Sequence, residues 1–181
     1  MVLTSRNFGS ALRARIADWK PDLIKSNEGG SNQVLVRPPW RVVEKRRLTL
    51  ARFPERRRLL WTRLEHDTGA TLFAANLHAS ANLPRKAARQ LIRAAEWCEG
   101  ERLVFGGDFN VRPAEDPRTY ERLQERFGLA APTAPAAIDH LLARGLEVIE
   151  SAHALPPERR EIPSGIRLSD HAPVTAVFAM A

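Results

Sequence analysis

Apolar and polar positions along the chain fall into short runs that separate strands from amphipathic helices. Leu12, Ile16 and Trp19 recur at i, i+4 and i+7, which predicts a helix over residues 9–19 closed by Pro21. Gly29, Gly30, Ser31 and Asn32 read as a turn into an apolar strand over 33–37. Strands are predicted over 41–50 and 57–65, joined as a hairpin through Phe53, Pro54 and Glu55. Residues 71–77 are nearly all apolar on both faces, the pattern of a strand buried on two sides. The helical period returns over 84–99, with Ala88, Leu91, Ile92, Ala95 and Cys98 on one face and Gly100 as the stop. A short strand over 102–105 runs into Gly106-Gly107. Asp116 is placed to cap, and Pro117 to begin, a helix with Tyr120, Leu123 and Phe127 inward and Gly128 at its end. The last predicted strands cover 137–142 and 174–179. Strands and helices mix without a regular βαβ rhythm, so the pattern predicts an α+β or layered α/β sandwich.

Composition narrows the picture modestly. A chain of 181 residues, 44% hydrophobic and 27% charged, suits one globular domain with a sizeable core. The single cysteine, Cys98, excludes an intramolecular disulfide framework and a cysteine-built zinc cluster. No apolar run approaches the ~20 residues that span a bilayer. Residues 1–10 lack the basic-then-apolar pattern of a signal peptide, so a cytoplasmic location is the default expectation. Lys and Arg number 28 against 21 Asp and Glu, giving a formal charge of +7. Phosphates reward clustered cations. Only Lys20, Lys25, Lys45 and Lys86 are lysines, however, and an arginine bias beside abundant alanine is also what a GC-rich coding sequence produces. Charge alone therefore leaves open whether the basic run from Arg37 to Arg63 is a solvated hairpin face or a substrate groove.

Several familiar chemistries are missing from the sequence. It holds no Gly-x-x-x-x-Gly-Lys-Ser/Thr loop, no Gly-x-Ser-x-Gly elbow and no His-Glu-x-x-His helix. Ser169, Asp170 and His171 are consecutive and cannot fold back on each other as a catalytic triad. Polar, titratable residues instead recur at the ends of apolar strands: Asn76-Leu77-His78, Gly106-Gly107-Asp108-Phe109-Asn110, Ile138-Asp139-His140 and Ser169-Asp170-His171-Ala172-Pro173-Val174. Strand ends gather side chains from distant positions into one mouth. In an extended segment Asp108 and Asn110, two apart, point the same way.

These four segments, in this order and roughly thirty residues apart, resemble the endonuclease/exonuclease/phosphatase superfamily, the group of DNase I-like nucleases, abasic endonucleases, inositol phosphatases and sphingomyelinases. The resemblance covers about residues 33–181. It implies a four-layered α/β sandwich of DNase I-like type, two packed β-sheets flanked by helices. It also implies roles. His171 resembles the catalytic histidine, held by Asp139, and Asp108 the residue that positions or deprotonates the attacking water. Asn110 would bond a phosphate oxygen, and His78 would add a positive donor to the transition state. Asp170, with Asp108, would bind a divalent ion, Mg²⁺ or alternatively Mn²⁺. Asn32 resembles the family's substrate-facing polar residue. His66 and His153 read as structural or exposed, and His140 as packing beside the site.

The family's domain opens with an Asn-bearing strand, a helix, and a strand ending in Gln-Glu whose Glu is the main metal ligand. Asn7 and Glu28 are candidates, but only four residues separate Glu28 from the strand at 33–37, where the family has a further helix and strand. The spacing favours the other reading, in which residues 2–6 already lie mid-domain and the chain is N-terminally truncated. The expected function is a metal-dependent phosphoesterase, foremost a nuclease with DNA as the favoured substrate. The alternatives are a truncated, catalytically weak domain that at most binds nucleic acid, or, among enzymes, one acting on phosphoinositide or sphingomyelin head groups.

Overall fold

The hairpin predicted over 41–50 and 57–65 forms the edge of a five-stranded sheet. The computed structural model describes residues 2–3, 32–52, 56–131, 133–161, 164–166 and 169–180. Within them β3 (Trp40–Ala51), β4 (Arg57–His66), β5 (Thr71–His78), β6 (Leu103–Asp108) and β7 (Asp139–Arg144) lie side by side in chain order. β5 and β6 are parallel, which requires a crossover, and helix α1 (Pro84–Trp97) supplies it. The other neighbours are antiparallel, with α2 (Pro117–Phe127) between β6 and β7. Two short pairs complete the strands, β1 (Val2–Leu3) with β2 (Gln33–Val34), and β8 (Glu147–Ala154) with β9 (Val174–Ala179).

Strand alternation divides the sheet's two faces between core and site. Leu59, Trp61, Ala75, Leu77, Leu103, Phe105 and Leu142 point to one face, where they meet Ala87, Leu91, Ala94 and Ala95 of α1 and Leu123 of α2. Each fully buried large side chain there contributes about 1.5–3 kcal/mol. Ala74, Asn76, Val104, Gly106, Asp108, Asp139 and Leu141 line a groove on the other face, beneath β2 and beside Ala172 and Val174. The described residues thus supply a helical layer, the five-stranded sheet and the strand pairs over its second face. The helix expected over 9–19, a candidate fourth layer, lies outside them.

Most predicted elements form, with instructive differences. The strand expected over 33–37 ends at Val34, and Leu35 is largely exposed. β5 is buried toward the helices but only half-buried at Ala74 and Asn76, because that face lines the groove. The inward face of α1 is Ala87, Gln90, Leu91, Ala94 and Ala95, with Ala88 and Ile92 on its flank. Gln90 was hidden to a pattern of apolar residues, and it is buried because Ser80 satisfies it. The Ser80 N–H donates to Gln90 Oε1 at 2.8 Å, and Gln90 Nε2 donates to Ser80 Oγ at 2.9 Å. β6 continues through both glycines to Asp108. β8 was not predicted at all, since only Ala152 of its eight residues is buried. Asp116 caps α2 as expected, accepting from Thr119 N at 3.2 Å, and Gly128 ends it in the left-handed conformation. Cys98 is buried, and burial pushes its thiol up to about 12, the state of an inert core residue.

Arg144 on β7 ties both helix ends to the sheet. Its guanidinium donates to the carbonyls of Cys98 at 3.1 Å, Gly100 at 2.6 Å and Phe127 at 3.2 Å, closing the chain ends after α1 and α2. We expect Arg144→Ala to lower the unfolding free energy by about 2–4 kcal/mol in urea titration. Arg144→Lys should recover less than half, because one ammonium cannot reach three carbonyls. An unchanged midpoint in the alanine variant would refute this role.

Candidate active site

Two glycines set the approach of the site's strands. A Cβ on Gly107 would lie 1.9 Å from the Leu77 carbonyl oxygen, and one on Gly106 would lie 2.6 Å from Leu141 Cδ2. Gly107 also has φ +128°, a conformation side chains rarely adopt. Their absence of side chains lets β5, β6 and β7 close up, so that His78 pairs in register with Asp108 and Asp108 with Asp139. All three residues lie on the groove face.

The titratable groups form two histidine–carboxylate pairs. His78 Nε2 lies 3.1 Å from Asp108 Oδ2, and His171 Nδ1 lies 2.7 Å from Asp139 Oδ2. Asp108 accepts a further bond from the Asn110 N–H at 3.0 Å. Asn110 is not extended as expected: its φ is +51°, and it turns back over the carboxylate in a conformation asparagine tolerates. Its amide Nδ2 donates to the Ala79 carbonyl at 3.2 Å, joining the ends of β5 and β6. Asp108, Asp139 and His171 each offer a donor atom, all within 4.8 Å of one another.

Electrostatics separate the two carboxylates. Burial works to raise Asp108, but the His78 hydrogen bond and charge, the Asn110 N–H and the His171 charge outweigh it and hold Asp108 below its usual range. Asp139 is raised, first by burial and then by the charge of Asp108, against the His171 hydrogen bond. Burial disfavours the His171 cation, yet the bond and charge of Asp139, with Asp108 and Asp170, raise it above its ordinary value. A groove of about 420 Å³ opens beside Asp108 and Asp139, floored by Ala74, Val104 and Leu141.

Solved structures of known proteins share this architecture. An endonuclease/exonuclease/phosphatase family protein from Bacteroides thetaiotaomicron matches with TM-score 0.62 and 19% identity over 78% of this chain and 66% of its own. The chain has the endonuclease/exonuclease/phosphatase fold. A mannosyl-6-phosphatase from B. thetaiotaomicron VPI-5482 matches with TM-score 0.59 and 17% identity, over 78% of this chain and 67% of that one. D. rerio TDP2 complexed with a single-strand DNA product gives 0.58 and 15%, over 78% and 69%. The chain thus spans about two thirds of the length of the structures it matches. No family model matches the sequence, and no curated protein does so either.

Within this fold the remaining expected residues divide. Asn32 is buried beside the site, and its Nδ2 donates to the Arg58 carbonyl. Asp170 is exposed and flanks His171, but it does not belong to the converging donor group, whose second carboxylate is Asp139. Asn7 and Glu28 lie outside the described residues. His140 packs beside the site as expected, buried between Phe109 and Tyr120. Its Nδ1 accepts from the Thr133 N–H at 3.1 Å and its Nε2 donates to the Ala137 carbonyl at 3.0 Å, which fixes one neutral tautomer. Burial first of all lowers its pKa.

Sequence reasoning missed Arg58. Leu59 pairs with Leu77 and faces the core, so Arg58, the residue before it, belongs by alternation to the same sheet face as His78. Burial, and then the charges of Arg56 and Arg47, lower the Arg58 pKa. The run Arg56-Arg57-Arg58, whose last two residues open β4, was the available signal.

Gly107→Ala should destabilise the chain by about 3 kcal/mol or more, since it combines backbone strain with overlap against β5. Near-native thermal unfolding would contradict this. The raised His171 contributes stability that is fully present below its unfolded value of about 6.5 and is lost as pH rises through the higher folded value. Depressed Asp108 contributes stability present above about 3.9 and lost as pH falls through its folded value. His171→Gln should therefore cost more stability at pH 6 than at pH 9, and Asp139→Asn should lower the NMR titration midpoint of His171. A midpoint unmoved by Asp139→Asn would disprove the pairing.

Proposed function

We propose that the chain is a divalent-metal-dependent phosphoesterase that hydrolyses phosphodiesters by in-line attack of water, foremost in nucleic acid. The observation that carries this reading is the facing of two histidine–carboxylate pairs, His78–Asp108 and His171–Asp139, across adjacent strands. Asp108 stays anionic and orients the attacking water, accepting its proton. His171, protonated and aligned through Nδ1 by Asp139, presents its other nitrogen to the leaving oxygen of the five-coordinate phosphorus. The ester P–O bond opposite the water then breaks as that oxygen takes the His171 proton. Asn110 and His78 steady that oxygen cluster, and Arg58 adds a cation beside His78. Asn32 and Asp170 border the substrate on either side.

The donor set fits a hard divalent cation. Asp108 and Asp139 are two converging carboxylates, the number Mg²⁺ commonly takes from protein alongside its waters, whereas His171 Nδ1 is committed to Asp139. Mn²⁺ accepts the same oxygen donors. When bound, the ion supplies positive charge to the phosphate and lowers the pKa of its water. DNA is favoured by the net charge of +7, and TDP2, which shares the fold, is known in complex with a DNA product. A domain that only binds nucleic acid is the competing reading.

The test is hydrolysis of bis-p-nitrophenyl phosphate and plasmid DNA by the full chain, with Mg²⁺ and with EDTA. Both should be cleaved with Mg²⁺ only, and His171→Ala should reduce kcat by about 10²–10⁴. Cleavage indifferent to EDTA or to His171→Ala would sink the reading. A folded chain without activity leaves the binding-only reading in its place.

A further inference from the structure

The chain's arginines are not treated alike by the fold. On the β3–β4 hairpin, Arg41 pairs with Glu65 at 3.1 Å, Arg46 with Glu44 at 2.7 Å and Glu99 at 3.0 Å, and Arg63 with Glu44 at 3.5 Å. Arg46 also stacks on Trp61, with 4.7 Å to the ring centroid. Three of the ten basic residues between Arg37 and Arg63 are therefore held by carboxylates.

The helical layer differs. A groove of about 320 Å³ runs between α1 and α2, and Arg89, Arg93 and Arg122 line it over an apolar floor of Ala88 and Ile92. Among the described residues none of these three arginines has a carboxylate partner. Glu96, the acid in the groove, lies 3.9 Å from Arg126 instead. Arg85, Arg89 and Arg93 follow one another at i, i+4 and i+8 on α1, and Arg118, Arg122 and Arg126 do so on α2. Like charges at this spacing oppose helix formation, chiefly on α1, whose one acid is Glu96, since Glu121 and Glu125 are interspersed on α2. α1 has neither a side-chain cap nor an acid in its first turn, so Arg85 and Lys86 add positive charge to an already positive helix pole, whereas the Asp116 cap offsets Arg118 at α2. Such crowding is relieved when an anion arrives.

The groove is remote from the two histidine–carboxylate pairs. The helices cover the sheet face carrying Leu77 and Phe105, whereas Asp108 and Asp139 project from the opposite face. We propose that the α1–α2 groove is a second nucleic-acid site, in which Arg89, Arg93 and Arg122 bind phosphates of the polynucleotide backbone away from the cleavage point. Arginine suits the task, since its planar fork meets phosphate oxygens two at a time. Arg89 and Arg93 stand one helical turn apart, about 6 Å along the axis, so they present two forks in sequence to a chain rather than one to an isolated anion. The nucleic-acid identity of the ligand rests on the function proposed above; the site itself does not.

The experiment measures fluorescence anisotropy of labelled single-stranded and duplex oligonucleotides with the full chain across a salt series, beside bis-p-nitrophenyl phosphate hydrolysis. The triple variant Arg89→Gln, Arg93→Gln, Arg122→Gln should bind DNA at least about tenfold more weakly, with its salt slope reduced by about 2–3. Its hydrolysis of the small diester should match the unaltered chain. The single variant Arg93→Gln, expected to lower the slope by about 1, guards against misfolding of the triple one. DNA affinity and slope unchanged in folded variants would overturn the site, as would a chain that binds no DNA. Arginine-dependent capture of polyglutamate as tight as that of DNA would overturn the nucleic-acid assignment. Failure of diester hydrolysis together with arginine-dependent DNA binding would remove the catalytic reading and leave the groove standing.

Discussion

The close approach of β5, β6 and β7 at Gly106-Gly107 is the constraint on which the site depends. Strands lie about 4.8 Å apart only if nothing intervenes, and here even one methyl group would run into the Leu77 carbonyl or Leu141. The register fixed there carries His78, Asp108 and Asp139 to one level on one face. A shift of one residue would send all of them into the apolar core beneath the helices. The double glycine into which the predicted strand runs is itself the interior of that strand.

Around this register the supports are local and polar. Gln90 reaches from α1 to hold Ser80, just beyond His78, and Asn110 holds Ala79. Asn76 donates to the Gln33 carbonyl at 2.9 Å and so fastens β2 over the sheet. Tyr120 donates to the Val111 carbonyl at 2.7 Å while its ring meets His140. Each bond meets a polar group that burial would otherwise leave costly. The exposed segment carrying His171 is held by Arg160, which donates to the Asp170 carbonyl at 2.9 Å, and by Ser169 Oγ, which accepts from the His171 N–H at 3.0 Å.

What was legible in the sequence follows from which signals are periodic. The five sheet strands from Trp40 to Arg144 and both helices declare themselves through apolar spacing, caps and the glycine stop at Gly128. The strand-end residues His78, Asp108, Asp139 and His171 were legible as motifs, and the fold brings them together. β8 was not legible, because its apolar residues Val148, Ile149, Ala152 and Ala154 do not alternate cleanly with Glu147, Glu150, Ser151 and His153 and all but Ala152 are exposed. Buried Gln90 and the half-buried Arg58 were missed for one physical reason. A polar residue's burial is decided by a partner distant in sequence, and no local pattern encodes it. The direct His78–Asp108 pair was hidden in the same way: two residues assigned separate roles turn out to share a hydrogen bond.

That pair changes how the two carboxylates divide the work. Asp108 is the less exposed, with 15% of its side chain accessible against 28% for Asp139, so burial alone would make it the easier to protonate. The opposite holds, because Asp108 accepts from His78 and from the Asn110 N–H, while Asp139 has one donor and faces the charge of Asp108. Asp108 is thereby the carboxylate held in its anionic form. Asp139, raised by burial, turns its carboxylate to the 2.7 Å bond that holds His171 and raises it in turn.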